Sequence, residues 1–421
     1  MKQKLTAMKT IKKIQIAALG ILLATSSMAE KPESTSFFLN NDSRYYKTKF
    51  VLASNLMVLP LQINNSCSMN FVFDTGVGRT IITQTTNPEA ISTSQFRRVL
   101  VRGLGSNESI VGVLSSNNDL SLGEISDDNH EILVVPNNII NLSSSLGYEI
   151  NGVTGRSFFE QFVVEIDYLK QTVQFHNPSQ FNRKIRSNDD VVPIELIDGR
   201  PYITANVTIN GKEIPVKLLF DTGMSFPLWL DPSTNENFKP TGLCRHDDFG
   251  QGLNGNVSGE ISRVEKLRIG KFELKNVITA FPNANAIRDV TVNSDRNGSV
   301  GADIFRRFNV IIDYQNKRVI LRKNATFKEE FTYDMSGISI ETILPEFPFY
   351  RIASIGENTP ASECGLQVND EILKINARNT RNMSMNDIVC LLKKREGKKI
   401  RITVLRNGEI IKLKFRLKRL V

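Results

Sequence analysis

Phe71-Val72-Phe73-Asp74-Thr75-Gly76 and Leu218-Leu219-Phe220-Asp221-Thr222-Gly223 are two versions of one stretch in a chain of 421 residues. Each is an apolar run that stops at Asp-Thr-Gly. A second apolar run follows each: Thr80-Ile81-Ile82 after the first, Pro227-Leu228-Trp229-Leu230 after the second. Physically this reads as strand, tight acidic turn, strand, with a carboxylate held at a turn backed by core. A single such triplet says little, because Asp, Thr and Gly are common turn residues. Two in matching contexts call for a common cause.

The sequence around them supplies it. Phe159-Glu160-Gln161-Phe162-Val163-Val164-Glu165-Ile166-Asp167-Tyr168 matches Phe305-Arg306-Arg307-Phe308-Asn309-Val310-Ile311-Ile312-Asp313-Tyr314 at an offset of 146. The Asp-Thr-Gly triplets are offset by 147, as are Gly123 and Gly270, while Pro136 and Pro282, and Gly155 and Gly301, are offset by 146. Landmarks this far apart that hold one register identify residues 47–185 and 192–325 as two copies of one β domain. Within each copy the order is an Asp-Thr-Gly turn, a Gly-rich polar loop, strands, an apolar-Gly turn and a final hairpin. The Gly-rich loops hold Gly103 and Gly105 in the first copy, and Gly252 and Gly255 in the second. They are hairpin turns by default and flap candidates by function, since Gly allows close backbone approach to a ligand. Asp167 and Asp313 repeat as faithfully, but each ends a strand and starts a turn, so both are read as turn residues.

The flanking regions differ in character. Residues 1–29 carry five Lys, then an apolar run over 14–24, then Ser27-Met28-Ala29, the parts of a cleavable signal peptide. The apolar run is short for a membrane span, and no other stretch approaches that length, so export to a periplasm or the medium without a retained span is expected. Residues 30–46 are polar and read as a loose N-terminal segment. Without the signal the chain has 48 basic and 44 acidic residues, a net charge of +4, and the surplus lies in the last 84 residues, with 16 basic against 9 acidic. That basic face lacks the aromatic interleaving of a nucleic-acid site. Cys67, Cys244, Cys364 and Cys390 neither cluster nor sit at equivalent repeat positions, so free, buried thiols are expected and no pairing is chosen. The three His, at 130, 176 and 246, show no metal-ligand spacing, and neither a metal nor another cofactor is expected.

Beyond Asn324 comes a different module. Strands are predicted over 338–343, 350–355, 373–375, 400–405 and 410–417, the last two joined by Asn407-Gly408, a strong hairpin signal. Apolar residues at Met385, Ile388, Val389, Leu391 and Leu392 predict a helix over 384–394, with Ser384 as N-cap and Gly397 as stop. This order makes a small α/β module over residues 336–418.

Duplicated acids permit a specific chemistry. Two Asp held close by pseudo-two-fold packing cannot both ionise comfortably and keep one proton between them. The ionised member takes a proton from water while the other supports the carbonyl under attack, so an amide is hydrolysed without a covalent enzyme intermediate. Thr at the next position has a hydroxyl able to reach the other copy's backbone, and Gly follows because the chain turns sharply.

In Asp74-Thr75-Gly76 and Asp221-Thr222-Gly223, with Val153-Thr154-Gly155 and Ser299-Val300-Gly301 behind them, residues 47–325 resemble aspartic peptidases of the pepsin and retropepsin type. The size of the copies is nearest to bacterial aspartyl peptidases with a retropepsin-like core. The resemblance implies a mainly β, bilobal fold with a shared cleft, Asp74 and Asp221 as catalytic dyad, and Thr75 and Thr222 as the grip between lobes. It also implies peptide or unfolded protein substrates. The family has Ser or Ala after the triplet, where this chain has Val77 and Met224. Without a hydroxyl on the outer carboxylate oxygen, the dyad's pKa values are expected to lie higher and the optimum to be less acidic.

The C-terminal module resembles a PDZ domain through Pro360-Ala361, Gly365-Leu366, Asp370-Glu371-Ile372 and Ile375-Asn376. The resemblance implies an extended C-terminal peptide ligand bound by β-augmentation, with the carboxylate loop at Phe347-Pro348-Phe349-Tyr350. Two readings follow: an exported aspartic endopeptidase with a recruiting PDZ domain, or a non-catalytic peptide-binding scaffold that keeps the fold. A serine peptidase is disfavoured, as no Gly-x-Ser-x-Gly is present and no His stands in a recognisable motif.

Overall fold

The computed structural model describes residues 36–40, 43–84, 91, 96–101, 109–135, 140–252, 255–283, 295–343 and 348–421. The segment read as a signal peptide, Gly103, Gly105 and Phe347 lie outside them. Among the described residues no helix is long and apolar enough to cross a membrane.

The chain is mainly β, as the sequence predicts. In the first copy, Met69–Asp74 runs parallel to Gly152–Gly155, with Asp74 opposite Gly155, and Thr80–Ile82 lies antiparallel on the far side of Gly152–Gly155. The second copy repeats this: Lys212–Asp221 runs parallel to Gly298–Gly301, with Asp221 opposite Gly301, and Leu228–Leu230 flanks it. Met69–Asp74 and the shorter strands are buried throughout or nearly so, and Lys212–Asp221 is buried over its last four residues, which explains the continuous apolar runs before each acid. Asn151 and Asn297 brace the two copies identically. The Asn151 side-chain oxygen accepts from Asn70 N at 2.7 Å and its N–H donates to Asn70 O at 2.8 Å, and the corresponding bonds between Asn297 and Lys217 are 2.9 and 2.8 Å.

The lobes join through a six-stranded sheet in the order Asp189–Pro193, Arg318–Lys323, Phe308–Asp313, Val163–Asp167, Thr172–His176, Tyr45–Lys49. At its centre Glu165 pairs with Ile311, its own repeat partner, flanked by Val164–Ile312 and Ile166–Val310. Because each of these pairings maps onto itself or its neighbour under the repeat, the pseudo-two-fold axis passes through Glu165 and Ile311. The Asp-Thr-Gly turns are brought together on that axis. Asp167 and Asp313 sit in hairpin turns as expected, accepting from Lys170 N and Asn316 N. Each lobe also stacks the Phe that precedes its Asp on the Phe that opens its repeat motif, Phe73 on Phe159 and Phe220 on Phe305, with ring centroids 4.6 and 3.8 Å apart.

Two expectations are corrected here. Residues 36–40 and 43–46 are not loose: Phe37 is buried against Phe158 at 4.0 Å, Phe38–Leu39 pairs with Ile125–Val134, and Tyr45–Lys49 closes the interlobe sheet. Polar composition hid a segment whose backbone completes two sheets. The thiols of Cys67, Cys244 and Cys390 are exposed, not buried, because they occupy surface turns and the outer face of a helix.

The C-terminal module has its own apolar core and a sheet in the order Ile338–Thr342, Tyr350–Ile355, Glu371–Ile375, Lys399–Arg406, Glu409–Arg416. Helix Met385–Leu392 is closed by a Ser384–Asp387 capping box. Asn407 and Gly408 both adopt positive φ, as the predicted hairpin turn requires.

Candidate active site

Asp74 and Asp221 end the two central strands and are both fully buried. They face one another over the same turn: a Cβ on Gly76 would lie 3.1 Å from Asp74 Oδ1 and 3.5 Å from Asp221 Oδ1. Oδ1 of each takes the N–H of the glycine two residues on, Gly76 at 2.6 Å and Gly223 at 3.0 Å. Oδ2 of each is buried with no other donor among the described residues. Val77 and Met224, where a hydroxyl would have bonded an outer oxygen, are instead fully buried in the apolar cores.

Thr75 and Thr222 lock the turns to one another. Thr75 Oγ1 donates to Phe220 O at 2.5 Å and accepts from Thr222 N at 3.1 Å. Thr222 Oγ1 donates to Phe73 O at 2.9 Å and accepts from Thr75 N at 3.0 Å. All four bonds are buried, so the separation of the two acids is set by backbone as well as by side chains.

The role of the glycines differs from the sharp-turn argument. Neither Gly76 nor Gly223 has positive φ. A Cβ on Gly223 would lie 2.2 Å from Asp74 Cγ, so the missing side chain is the space that the opposing carboxylate occupies. On Gly76 the nearest atom would be Asp74 Oδ1 at 3.1 Å, a milder conflict.

Burial dominates the titration. It pushes Asp74 up to about 6, against the lowering effects of the Gly76 N–H, the Asp221 carboxyl, the Gly223 N–H and the Arg200 charge. Asp221 is raised well above the ordinary carboxyl range, first by burial and then by the neighbouring Asp74. The pair therefore titrates as a coupled unit in which Asp74 gives up its proton before Asp221.

Each lobe also reaches across to the other's turn from its first hairpin. Arg200 Nε donates to Gly76 O at 3.0 Å, and Asn55 Nδ2 donates to Ser225 O at 3.3 Å. Sequence reading missed both, although their near-equivalent positions before the two central strands were available as a signal. Gly252 and Gly255 pair at the tip of the hairpin Arg245–Gly252 and Gly255–Ile269. Its base is held by Phe249, whose ring lies 6.1 Å from Phe226 and 5.9 Å from Trp229. His130 is enclosed by Asp127 at 2.7 Å and Thr80 at 2.7 Å and buried in the first lobe, where no substrate reaches it. Among the described residues no cluster of His, Cys, Asp and Glu could hold a metal.

Residues 59–158 and 205–304 each match the family model described as aspartyl protease, and residues 351–406 match the one described as PDZ domain. The chain carries two aspartyl protease domains and a PDZ domain. Similar curated proteins are the 26S proteasome non-ATPase regulatory subunit 9 of Mus musculus and of Homo sapiens. The mouse protein is 41% identical over 68 residues, which cover 16% of this chain and 30% of that one, and the human protein is 41% identical over 66 residues, covering 15% and 30%. The Rattus norvegicus protein is 39% identical over 105 residues, covering 23% and 47%. The chain thus spans less than half the length of these relatives, and the likeness falls on the PDZ region.

Pro348, Phe349 and Tyr350, expected to form the PDZ peptide loop, do not lead into an open sheet edge. Tyr350–Ile355, the strand they lead into, is bonded to Ile338–Thr342 on one edge, while on the other Ile352 N meets Asp370 O at 2.9 Å. It has no edge left for an added strand. Tyr350 Oη is spent on Met383 O at 2.7 Å, and Pro348 and Phe349 line a separate small cavity of about 210 Å³ with Ile372 and Thr380. The strand at the end of the sheet is Ile338–Thr342. Across a cavity of about 630 Å³ it faces helix residues Met385 and Val389, and the protease lobes complete the wall with Leu52, Asn55, Arg245 and Tyr333. Asn386, at the start of that helix, donates to Leu52 O at 3.0 Å and accepts from Ser54 N at 3.2 Å. A chain read from the left could not show which of two adjacent strands would be the outer one.

Proposed function

We propose that this protein is an exported aspartic endopeptidase that hydrolyses peptide bonds through a water held between Asp74 and Asp221. The observation that carries the reading is the pair of fully buried carboxyls brought together at the pseudo-two-fold axis, each lying beside the glycine of the other turn. Asp74, which loses its proton first, is the member suited to take a proton from water. Asp221, held protonated by burial and by its neighbour, is suited to donate to the carbonyl oxygen as the tetrahedral intermediate forms. On collapse the proton taken up by Asp74 passes to the leaving amine and a hydroxyl of the gem-diol returns one to Asp221, so the pair is restored and no bond to the enzyme is made. The Thr75–Thr222 lock gives the dyad a fixed separation, which is the preorganisation that such a reaction requires. Extended peptides and unfolded chains are the substrates that fit a cleft between β lobes. The PDZ domain recruits them along Ile338–Thr342, beside the protease body. Export rests on the basic, then apolar, then small-residue pattern of residues 1–29.

The test is cleavage of a denatured protein by the purified chain from about pH 4 to 8, with Asp74→Asn and Asp221→Asn in parallel. Activity in the parent that is lost in both variants supports the dyad. Cleavage that survives either change refutes it, and a parent that cleaves nothing at any pH favours the non-catalytic scaffold. Recovery of the protein from the exporting cell with residue 30 as its N-terminus tests the export arm.

A further inference from the structure

A peptide laid as an added strand on a sheet edge presents its terminal carboxylate, where it has one, to a nest of consecutive N–H groups at the end of that edge. Before the edge strand Ile338–Thr342 that nest is Ser336-Gly337-Ile338, where Gly337 has a φ of 83° and Gly337 and Ile338 both line the cavity of about 630 Å³. Its three N–H groups are already engaged. Asp334 Oδ1 accepts from Ser336 N at 3.1 Å and from Ser336 Oγ at 2.6 Å, and Asp334 Oδ2 accepts from Gly337 N at 2.5 Å. Ser336 Oγ in turn accepts from Ile338 N at 3.2 Å. A carboxylate of the chain itself sits where a ligand's would.

The turn is held so that these groups stay where they are. Each N–H shares a rigid peptide plane with the carbonyl before it. Those carbonyls are pinned on their other side: Met335 O by Lys418 N at 3.0 Å, Ser336 O by Ala361 N at 3.0 Å and Gly337 O by Gly356 N at 2.9 Å. Turning any of the three planes toward a ligand would break a bond at each end of it. An incoming carboxylate would also meet the like charge of Asp334. The cation of this wall, Arg245, stands against Gly356, where a Cβ would lie 1.9 Å from its Nη2, and its Nε is 3.5 Å from Asp247 Oδ2, so an acid of the chain already faces it. Past the turn the groove is apolar, with Ile338 and Ile340 on the strand, Met385, Val389 and Leu392 on the helix, and Leu52 from the first lobe. At the far end Ser144 Oγ donates to Thr342 O at 2.5 Å, which leaves Ile338–Glu341 as the edge on offer.

We propose that Asp334 fits this groove for internal stretches of an unfolded chain, extended and bearing aliphatic side chains, and turns away peptide C-termini. The proposal rests on the reading of the PDZ domain as a recruiting site and names what is recruited. Such a site suits an enzyme that cuts within chains: every cut creates a new C-terminus, and a groove blind to the terminal carboxylate gives products no advantage over uncut chain.

The experiment uses the full chain carrying Asp74→Asn, so that probes are not cut, and an N-terminally labelled peptide rich in Val and Ile. The peptide is made in three forms: with a free C-terminal carboxylate, with a C-terminal amide, and flanked on both sides by Gly-Ser segments. Binding is read by fluorescence polarisation, and groove binding is the part lost in Val389→Asp, which puts a charge into the apolar wall. The three forms should bind the groove equally, within about twofold. Asp334→Ala empties the nest, and the free acid should then bind at least about tenfold tighter than the amide. Asp334→Asn removes the charge and the Oδ2 acceptor while keeping the Oδ1 bonds, so it should move the same ratio in the same direction by less, and it decides the matter if the alanine variant does not fold. A preference of the parent for the free acid above about twofold overturns the proposal, including one that Arg245→Gln removes, since Arg245 Nη1 has no acceptor among the described residues. A flanked form that fails to bind where the amide binds, or equal binding of acid and amide in both Asp334 variants, overturns it as well. No Val389-dependent binding of any form refutes recruitment by the PDZ domain itself, and the proposal with it.

Discussion

Replacing both acids, Asp74→Asn with Asp221→Asn, should stabilise the fold at neutral pH and do little in acid. In the unfolded chain an Asp ionises near its ordinary value of 3.8, whereas burial raises Asp74 to about 6 in the folded protein. Below 3.8 both states hold the proton and the group is neutral with respect to stability. As pH rises through that value the unfolded chain ionises first, so folded stability falls until pH passes about 6, and stays lower above it. The two-unit interval corresponds to about 3 kcal/mol. Asp221, raised further, adds in the same direction. The double variant escapes both losses and keeps side-chain oxygens for the Gly76 and Gly223 N–H groups. Its stability relative to the parent should therefore grow by at least about 3 kcal/mol between pH 3.5 and 7, while all other titrating groups cancel in the difference. Trp229, the single tryptophan, is buried on the strand beside the second Asp-Thr-Gly and reports unfolding in urea by fluorescence. A difference that is constant with pH, or that shrinks as pH rises, would refute burial as the origin of the raised values.

Peptide cleavage should rise as pH climbs through about 6, when the dyad loses its first proton, and decline only as Asp221 ionises at higher pH; a maximum below about pH 5 contradicts this order. Thr75→Val removes a hydroxyl that both donates to Phe220 O and accepts from Thr222 N, leaving two buried groups unpaired, and should lower stability by about 2–4 kcal/mol in chemical denaturation, with Thr75→Ser much closer to the parent. Gly223→Ala should abolish cleavage, since its Cβ takes the place of the Asp74 carboxylate, whereas Gly76→Ala should retain a measurable rate. Asn386→Ala cuts both hydrogen bonds from the PDZ helix to Leu52 and Ser54, so limited proteolysis should cleave between the protease and PDZ domains sooner than in the parent.

The acids, the threonine lock and the duplication were legible because each rests on residue identity at a fixed spacing, and a duplicated domain repeats its landmarks in one register. The PDZ groove was not. Residues 338–343 and 350–355 both read as strands, and nothing local distinguishes a strand enclosed on both edges from one at the end of its sheet. Polar residues 30–46 read as loose because composition reports side chains, whereas Phe38–Leu39 and Tyr45–Lys49 are ordered through backbone pairing to strands far along the chain. Arg200 and Arg296 carry no local signal, since neither a bond to the other lobe's turn nor burial is written in a residue type.

By itself the sequence determined what the two lobes share: the same turn, the same apolar-Gly turn behind it, the same final hairpin. Those are short-range patterns, repeated, and repetition makes them readable. Tertiary structure alone decided what happens where the copies meet. Pairing Glu165 with Ile311 places the axis, the axis brings two carboxyls into one buried site, and burial raises their pKa values more than any neighbour does. The same packing leaves the Arg296 Nε buried with no acceptor among the described residues, while Ile150, at the equivalent position of the first lobe, sits in an apolar cluster. Desolvation and juxtaposition are properties of the assembled volume, and no window of sequence contains them.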